Sequence, residues 1–193
     1  MTNPRDALHA GDALLLVDVQ VDFCPGGALA IEQGDAVVPV LNLWIAAAVG
    51  ADVPVYASRD SHPAQHLSFS ESGGRWPPHC VHDSEGAKFH PDLNLPASVI
   101  LVTKGVRFDK DQYSAFDDTG LATELRKRGI QRVWIGGLAH DVCVRATVLD
   151  ARQEGFDTLV IADATRPVTR VGGEAATEDM WQAGAFFETT DLS

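Results

Sequence analysis

The sequence lacks the features that mark several whole classes of protein. It has only three cysteines among 193 residues, at the distant positions Cys24, Cys80 and Cys143. An odd, scattered set gives no disulfide framework. No apolar run approaches the ~18 residues that cross a bilayer. The first residues, MTNPRDALHAGD, lack the apolar stretch of a secretion signal. A cytoplasmic setting with reduced thiols is expected. No run of Lys or Arg occurs, and the formal net charge is -12. Phosphate backbones and anionic lipid are repelled by such a surface, so nucleic acid and membranes are excluded as partners. The acidic residues are scattered, as on an ordinary solvated surface. No repeat or low-complexity tract appears. No GxGxxG follows the first strand-like run, which removes a dinucleotide-binding reading.

What is present is enough apolar material for a core, at 45% of residues, and a length that suits a single domain over 1–193. Short β-rich apolar runs fall at 13–17, 53–57, 99–103, 132–135, 158–162 and 185–188. Helix-like stretches fall at 35–49, 119–128, 142–154 and 174–182, with Pro39 in a first turn and Gly129 and Gly155 as stops. Continuous apolar strands alternating with helices predict a mostly parallel sheet covered on both faces. The fold class is therefore three-layer α/β/α, doubly wound, with about six strands. Residues 58–98 break the alternation and are rich in His, Pro, Gly and Ser. A loop that long in a compact domain is usually functional.

Ligands in such sheets bind outside the carboxyl ends of the strands. Asp18 follows the first strand, Asp60 and His62 the second, Lys104 the third, and Cys143 the fourth. Gly136 and Gly137 allow a turn, and Asp141 can cap the next helix, which would put Cys143 in a first turn where a thiolate is favoured. Cys143 reads equally as a small buried residue beside Val142 and Val144. Asp18 and Lys104 can supply a base and a cation to the thiol, or form a structural ion pair. Asp60, His62 and the more distant His79 suit a divalent metal with open positions, with His66 as a further ligand or a neighbour. Surface loop histidines are the alternative, and His9, His82 and His90 are read as solvated. Phe23, Trp76 and Tyr113 can wall an aromatic pocket or pack in the core.

These pieces resemble the nicotinamidases (pyrazinamidases) of the isochorismatase-like cysteine hydrolases. The matching segments are LLLVDVQVDFCPGGAL, SRDSHPAQHLSF, WPPHCV, the KG of Lys104 and Gly105, and GLAHDVCV. They run in the family's order over nearly the whole chain, with the long loop as the metal-binding segment. The resemblance implies Asp18, Lys104 and Cys143 as the catalytic set. It implies Asp60, His62 and His79 as metal ligands, with His66 matching an extra ligand of some members. Phe23, Leu29, Trp76, Tyr113 and Ala139 fall where relatives line the substrate pocket. A cis peptide before Ala139 and an oxyanion hole from the N–H groups of Ala139 and Cys143 are implied as well. The expected reaction is nicotinamide to nicotinate and ammonia through a cysteine thioester, with one divalent ion, Zn²⁺ ahead of Fe²⁺ or Mn²⁺, orienting the ring. The alternative is another small carboxamide or carbamoyl amide. A homo-oligomer stays open. Two departures stand out: His140 replaces the family's usual Thr, and Val142 is smaller than its usual counterpart.

Overall fold

The computed structural model describes residues 1–191. Its centre is a six-stranded sheet in the order β3-β2-β1-β4-β5-β6. The strands are β1 (Asp12–Val17), β2 (Val55–Asp60), β3 (Ile100–Lys104), β4 (Arg132–Leu138), β5 (Asp157–Arg166) and β6 (Phe186–Glu188). Every pairing is parallel. The order reverses between β1 and β4, which opens a crevice at the carboxyl ends of the central strands.

The burial of β1 shows why its apolar run is unbroken. Leu14 and Leu16 enter the core on one face, while Ala13, Leu15 and Val17 enter the other. A strand buried on both faces cannot alternate with polar residues. The first face is covered by α1 (Pro4–Ala7) and α2 (Val37–Gly50), the latter burying Leu41, Trp44 and Ile45. The second is covered by α3 (Leu121–Lys127), α4 (Arg145–Gln153) and α5 (Arg170–Gln182), through Leu125, Val148 and Met180. Among the described residues no helix is long and apolar enough to cross a membrane.

Two local expectations are corrected. Gly136 and Gly137 form no turn; they lie inside β4 beside a register shift against β5. Gly137 has φ of +130°, and a Cβ there would sit 2.1 Å from the Val17 carbonyl oxygen, so glycine lets β4 lie close against β1. Asp141 does not cap a helix. Its carboxylate instead accepts from the backbone N–H groups of Val168 and Thr169, at 2.8 and 3.3 Å. The chain leaves β4 through a wide π-helical turn, His140–Val144, and only then enters α4.

Candidate active site

Asp18 leaves β1 with a left-handed backbone, φ +48°, a conformation Asp tolerates better than most residues. This turns its side chain into the crevice, where it is fully buried. Ser58 Oγ donates to Asp18 Oδ1 at 2.6 Å. Oδ2 lies 2.8 Å from Lys104 Nζ but out of line for a hydrogen bond, which leaves a lone pair for another donor. Lys104, the last residue of β3, is also fully buried. Its ammonium donates to Asp60 Oδ1 at 2.7 Å, the Gln112 carbonyl at 3.2 Å and Cys143 Sγ at 3.6 Å. One cation thus joins two carboxylates and the thiol.

The electrostatics follow from that count. Burial pushes the Asp60 carboxyl up, but Lys104 and His62 outweigh it and hold Asp60 well below its ordinary range. Burial dominates at Asp18, whose carboxyl is raised despite Lys104. Burial would lower Lys104, yet Asp18, Asp60 and Cys143 together raise it well above its ordinary value. Burial raises the Cys143 thiol well above its ordinary value; Lys104 opposes this, and Asp18 and Asp60 add to it. Burial thus works against the thiolate expected from a helix start. A thiol disfavoured as the anion beside a carboxyl of raised pKa is a pairing suited to proton transfer on demand.

The histidines gather at the other side of the crevice. Donor atoms of Asp60, His62 and His79 all lie within 4.8 Å of one another. The hydrogen-bond partners assign the tautomers of two rings. His62 Nδ1 donates to the Gly105 carbonyl at 2.9 Å, and His79 Nδ1 to the Pro77 carbonyl at 2.8 Å. A carbonyl can only accept, so in each neutral ring the proton sits on Nδ1 and Nε2 is the nitrogen that would meet a cation, the usual support of a ligating imidazole; His62 Nε2 faces Asp60 Oδ2 at 3.6 Å. With one carboxylate, this donor set fits a divalent metal such as Zn²⁺. Gly105 has φ of +71°, and a Cβ there would lie 2.5 Å from the His62 ring. His66 stacks on His62 at 4.4 Å and falls in a second triplet, with His62 and Asp111. Its Nδ1 faces the Ser68 hydroxyl and N–H, and its buried Nε2 has no hydrogen-bond partner among the described residues.

Between these two sides lies one pocket. Phe23, Leu29, Trp76, Tyr113, Ala139 and Cys143 line it together with Asp60, His62 and His79. Trp76 Nε1 donates to the Tyr113 hydroxyl at 3.0 Å, fixing the two rings against each other. The Leu138–Ala139 peptide is cis. Of the residues singled out in the sequence, Asp18 and Lys104 lie beneath Cys143 without lining the pocket, His66 stacks behind His62, and His140 faces the other way, towards β5 and α5. His82 is exposed and bonds Ser61.

Four contributors were not singled out. Gln20 clamps Asp60 from both sides: its amide accepts from Asp60 N and donates to Asp60 O, each at 2.8 Å. Ser58 bonds Asp18, and Gln112 supports Lys104. Asp111 lines the pocket. Ser58 was findable, because residues two apart on a strand share a face and Asp60 was already assigned. Asp111 carried no pattern that separates it from the other acids of the segment.

Comparison with known proteins places these features. Residues 12–191 match the model of the isochorismatase domain. The chain is 43% identical over 177 residues to the nicotinamidase of Escherichia coli, covering 81% of this chain and 83% of that one. It is 40% identical over 177 residues to the nicotinamidase/pyrazinamidase of Mycobacterium tuberculosis, covering 87% and 93%. It superposes on the pyrazinamidase of Pyrococcus horikoshii in complex with zinc with a TM-score of 0.90, at 40% identity, over 93% of this chain and 99% of that one.

Proposed function

This chain belongs to the isochorismatase family, and on that premise we propose that it is a nicotinamidase working through a thioester on Cys143. The observation that carries the reading is the Lys104 ammonium, which ties Asp18, Asp60 and the Cys143 thiol into one buried cluster below an aromatic pocket.

The aromatic ring of the substrate lies between Phe23, Leu29, Trp76 and Tyr113, with its carboxamide over Cys143. Asp60, His62 and His79 hold the divalent ion, zinc first, and when bound it supplies a Lewis-acidic partner for the ring nitrogen. Asp18 takes the thiol proton as Cys143 Sγ bonds to the amide carbon. Lys104 steadies the thiolate as it forms. The N–H groups of Ala139 and Cys143 donate to the oxyanion. Asp18 returns the proton to the amine as the C–N bond breaks, and ammonia leaves. Water then loses a proton to Asp18 and attacks the thioester. The C–S bond breaks, Asp18 passes its proton back to Cys143, and the acid departs, losing its own proton to water or to the released ammonia. The free state of all three cysteines supports a reducing, cytoplasmic setting.

The test is ammonia release from nicotinamide by the metal-loaded protein. Cys143→Ala is expected to lose at least about a thousandfold in rate with its fold intact. Wild-type turnover by that variant would overturn the mechanism. Benzamide, which has the same ring without the nitrogen, is expected to be the poorer substrate. Equal turnover of the two amides would remove the metal's orienting role.

A further inference from the structure

Amide hydrolysis presents this pocket with a difficulty. Substrate and product share ring and shape, and differ by the negative charge of the new carboxylate. A pocket that fits one fits the other, so charge and the lost N–H donors are what tell them apart. The cluster contains two carboxylates, Asp18 and Asp60, and one ammonium, Lys104. With Cys143 as the thiol and Asp18 as the carboxylate, the forms that the amidase reading starts from, a divalent ion held by Asp60, His62 and His79 would bring this balance to one positive charge. A confined site with that charge would hold an anion.

We propose that Asp111 cancels this charge and so sets the preference of the site for a neutral amide over its carboxylate product. The inference rests on the amidase reading above. Asp111 is half-buried and lines the same pocket. A carboxylate oxygen lies within 4.8 Å of ring nitrogens of His62 and His66. Its neighbours in sequence are answered by cations: Asp109 by Arg107, Asp117 by Lys110, and Asp118 by both. Among the described residues no Lys or Arg forms an ion pair with Asp111. The bond from Gln112 N to Oδ1 at 3.0 Å and the nearby Tyr113 hydroxyl aim the carboxylate without neutralising it. Asp111 is thus the acid of this segment whose charge is left for the pocket.

Asp111→Asn removes the charge and keeps the acceptor for Gln112 N. Zinc-loaded Cys143→Ala protein, with and without Asp111→Asn, is titrated with nicotinate and with nicotinamide by calorimetry. The ratio of nicotinate to nicotinamide affinity is expected to rise about tenfold in the Asn protein, with bound zinc unchanged by elemental analysis. An unchanged ratio overturns the proposal. So does loss of zinc, which would make Asp111 a ligand instead. If the parent protein binds both molecules yet wild-type chain releases no ammonia from nicotinamide, the amidase reading fails, and the affinity ratio still judges Asp111.

Discussion

The two sides of the pocket are built by different means. Asp18, Lys104 and the turn bearing Cys143 grow directly from the ends of β1, β3 and β4, inside a continuous parallel ladder. His62, His66 and His79 hang on the segment after β2, where one short helical turn, Ser70–Ser72, is the only helical piece before β3. Isolated bridges pin this segment, His62 to Val81 and Phe69 to Trp76, along with Asp22 Oδ2 accepting from Cys80 N at 2.7 Å. The sheet delivers the thiol side through its own regularity. The histidine side needs a separate bond for nearly every residue. The seam between them is the Lys104–Asp60 pair, where the last residue of β2 joins the cation beneath the thiol to the histidines.

Cutting that seam is expected to have the largest effect. Lys104→Met leaves Asp18 and Asp60 as two buried carboxylates without a cation. A loss of about 3–5 kcal/mol in urea unfolding is expected, with ammonia release falling about a thousandfold. Adding Asp60→Asn is expected to restore part of the stability and none of the activity. The pair also has a pH signature. Asp60 is held below its ordinary 3.8, so its contribution is complete above that pH and is lost as pH falls through the depressed value. Lys104→Met is expected to erase this acid transition, and its persistence would place the stabilising partner elsewhere.

Gly105 tests the histidine side alone. Gly105→Ala places a methyl 2.5 Å from the His62 ring at a φ of +71°, so the ring must move and its bond to the Gly105 carbonyl is disturbed. Metal affinity is expected to fall about 10–100-fold, read by competition with a chelator. The alkylation rate of Cys143 in metal-free protein is expected to stay close to wild type. If thiol reactivity falls in step with metal affinity, the two sides are one mechanical unit and the contrast between them fails.

The same contrast explains what was legible in the sequence. Six strands and their parallel order follow from apolar runs alternating with helices, and ligand-bearing residues at strand ends follow from the crevice rule. Asp18, Lys104 and Cys143 were therefore visible before any geometry. Asp60 and His62 showed at the end of the second strand by the same rule and His79 as a third donor in the loop, and the family resemblance chose the metal reading of the three over surface histidines. The single cation joining the two groups was not visible, because β1, β2 and β3 meet only through sheet order and no pattern in one strand records its neighbours. The π-helical turn escaped for a related reason. HDVCV reads as the start of an ordinary helix, and nothing within the segment records the bonds that reach it from β5 and α5.

Those bonds centre on His140 and answer what this residue does beside Cys143. His140 is buried at 7% exposure, and its ring nitrogens lie 2.9 Å from Thr165 Oγ1 on β5 and 2.9 Å from Thr177 Oγ1 on α5. Thr177 Oγ1 already donates to the Gly173 carbonyl at 2.9 Å, so it accepts from His140 Nε2–H. In the neutral ring Nδ1 accepts from Thr165, whose hydroxyl is shared with the Ala162 carbonyl at 3.3 Å, and the ring braces the turn to both elements. Burial outweighs the pull of Asp141 and keeps its pKa below 6.5, so the unfolded chain takes up its proton first. The brace is therefore complete above about pH 6.5 and erodes as pH falls below it. His140→Ala is expected to cost about 2 kcal/mol at pH 8, the smallest of these losses, with kcat falling about tenfold and KM little changed. The stability gap from wild type is expected to narrow between pH 6.5 and 5. A gap that stays constant with pH would mean that His140 fills space beside Cys143 without bracing the turn.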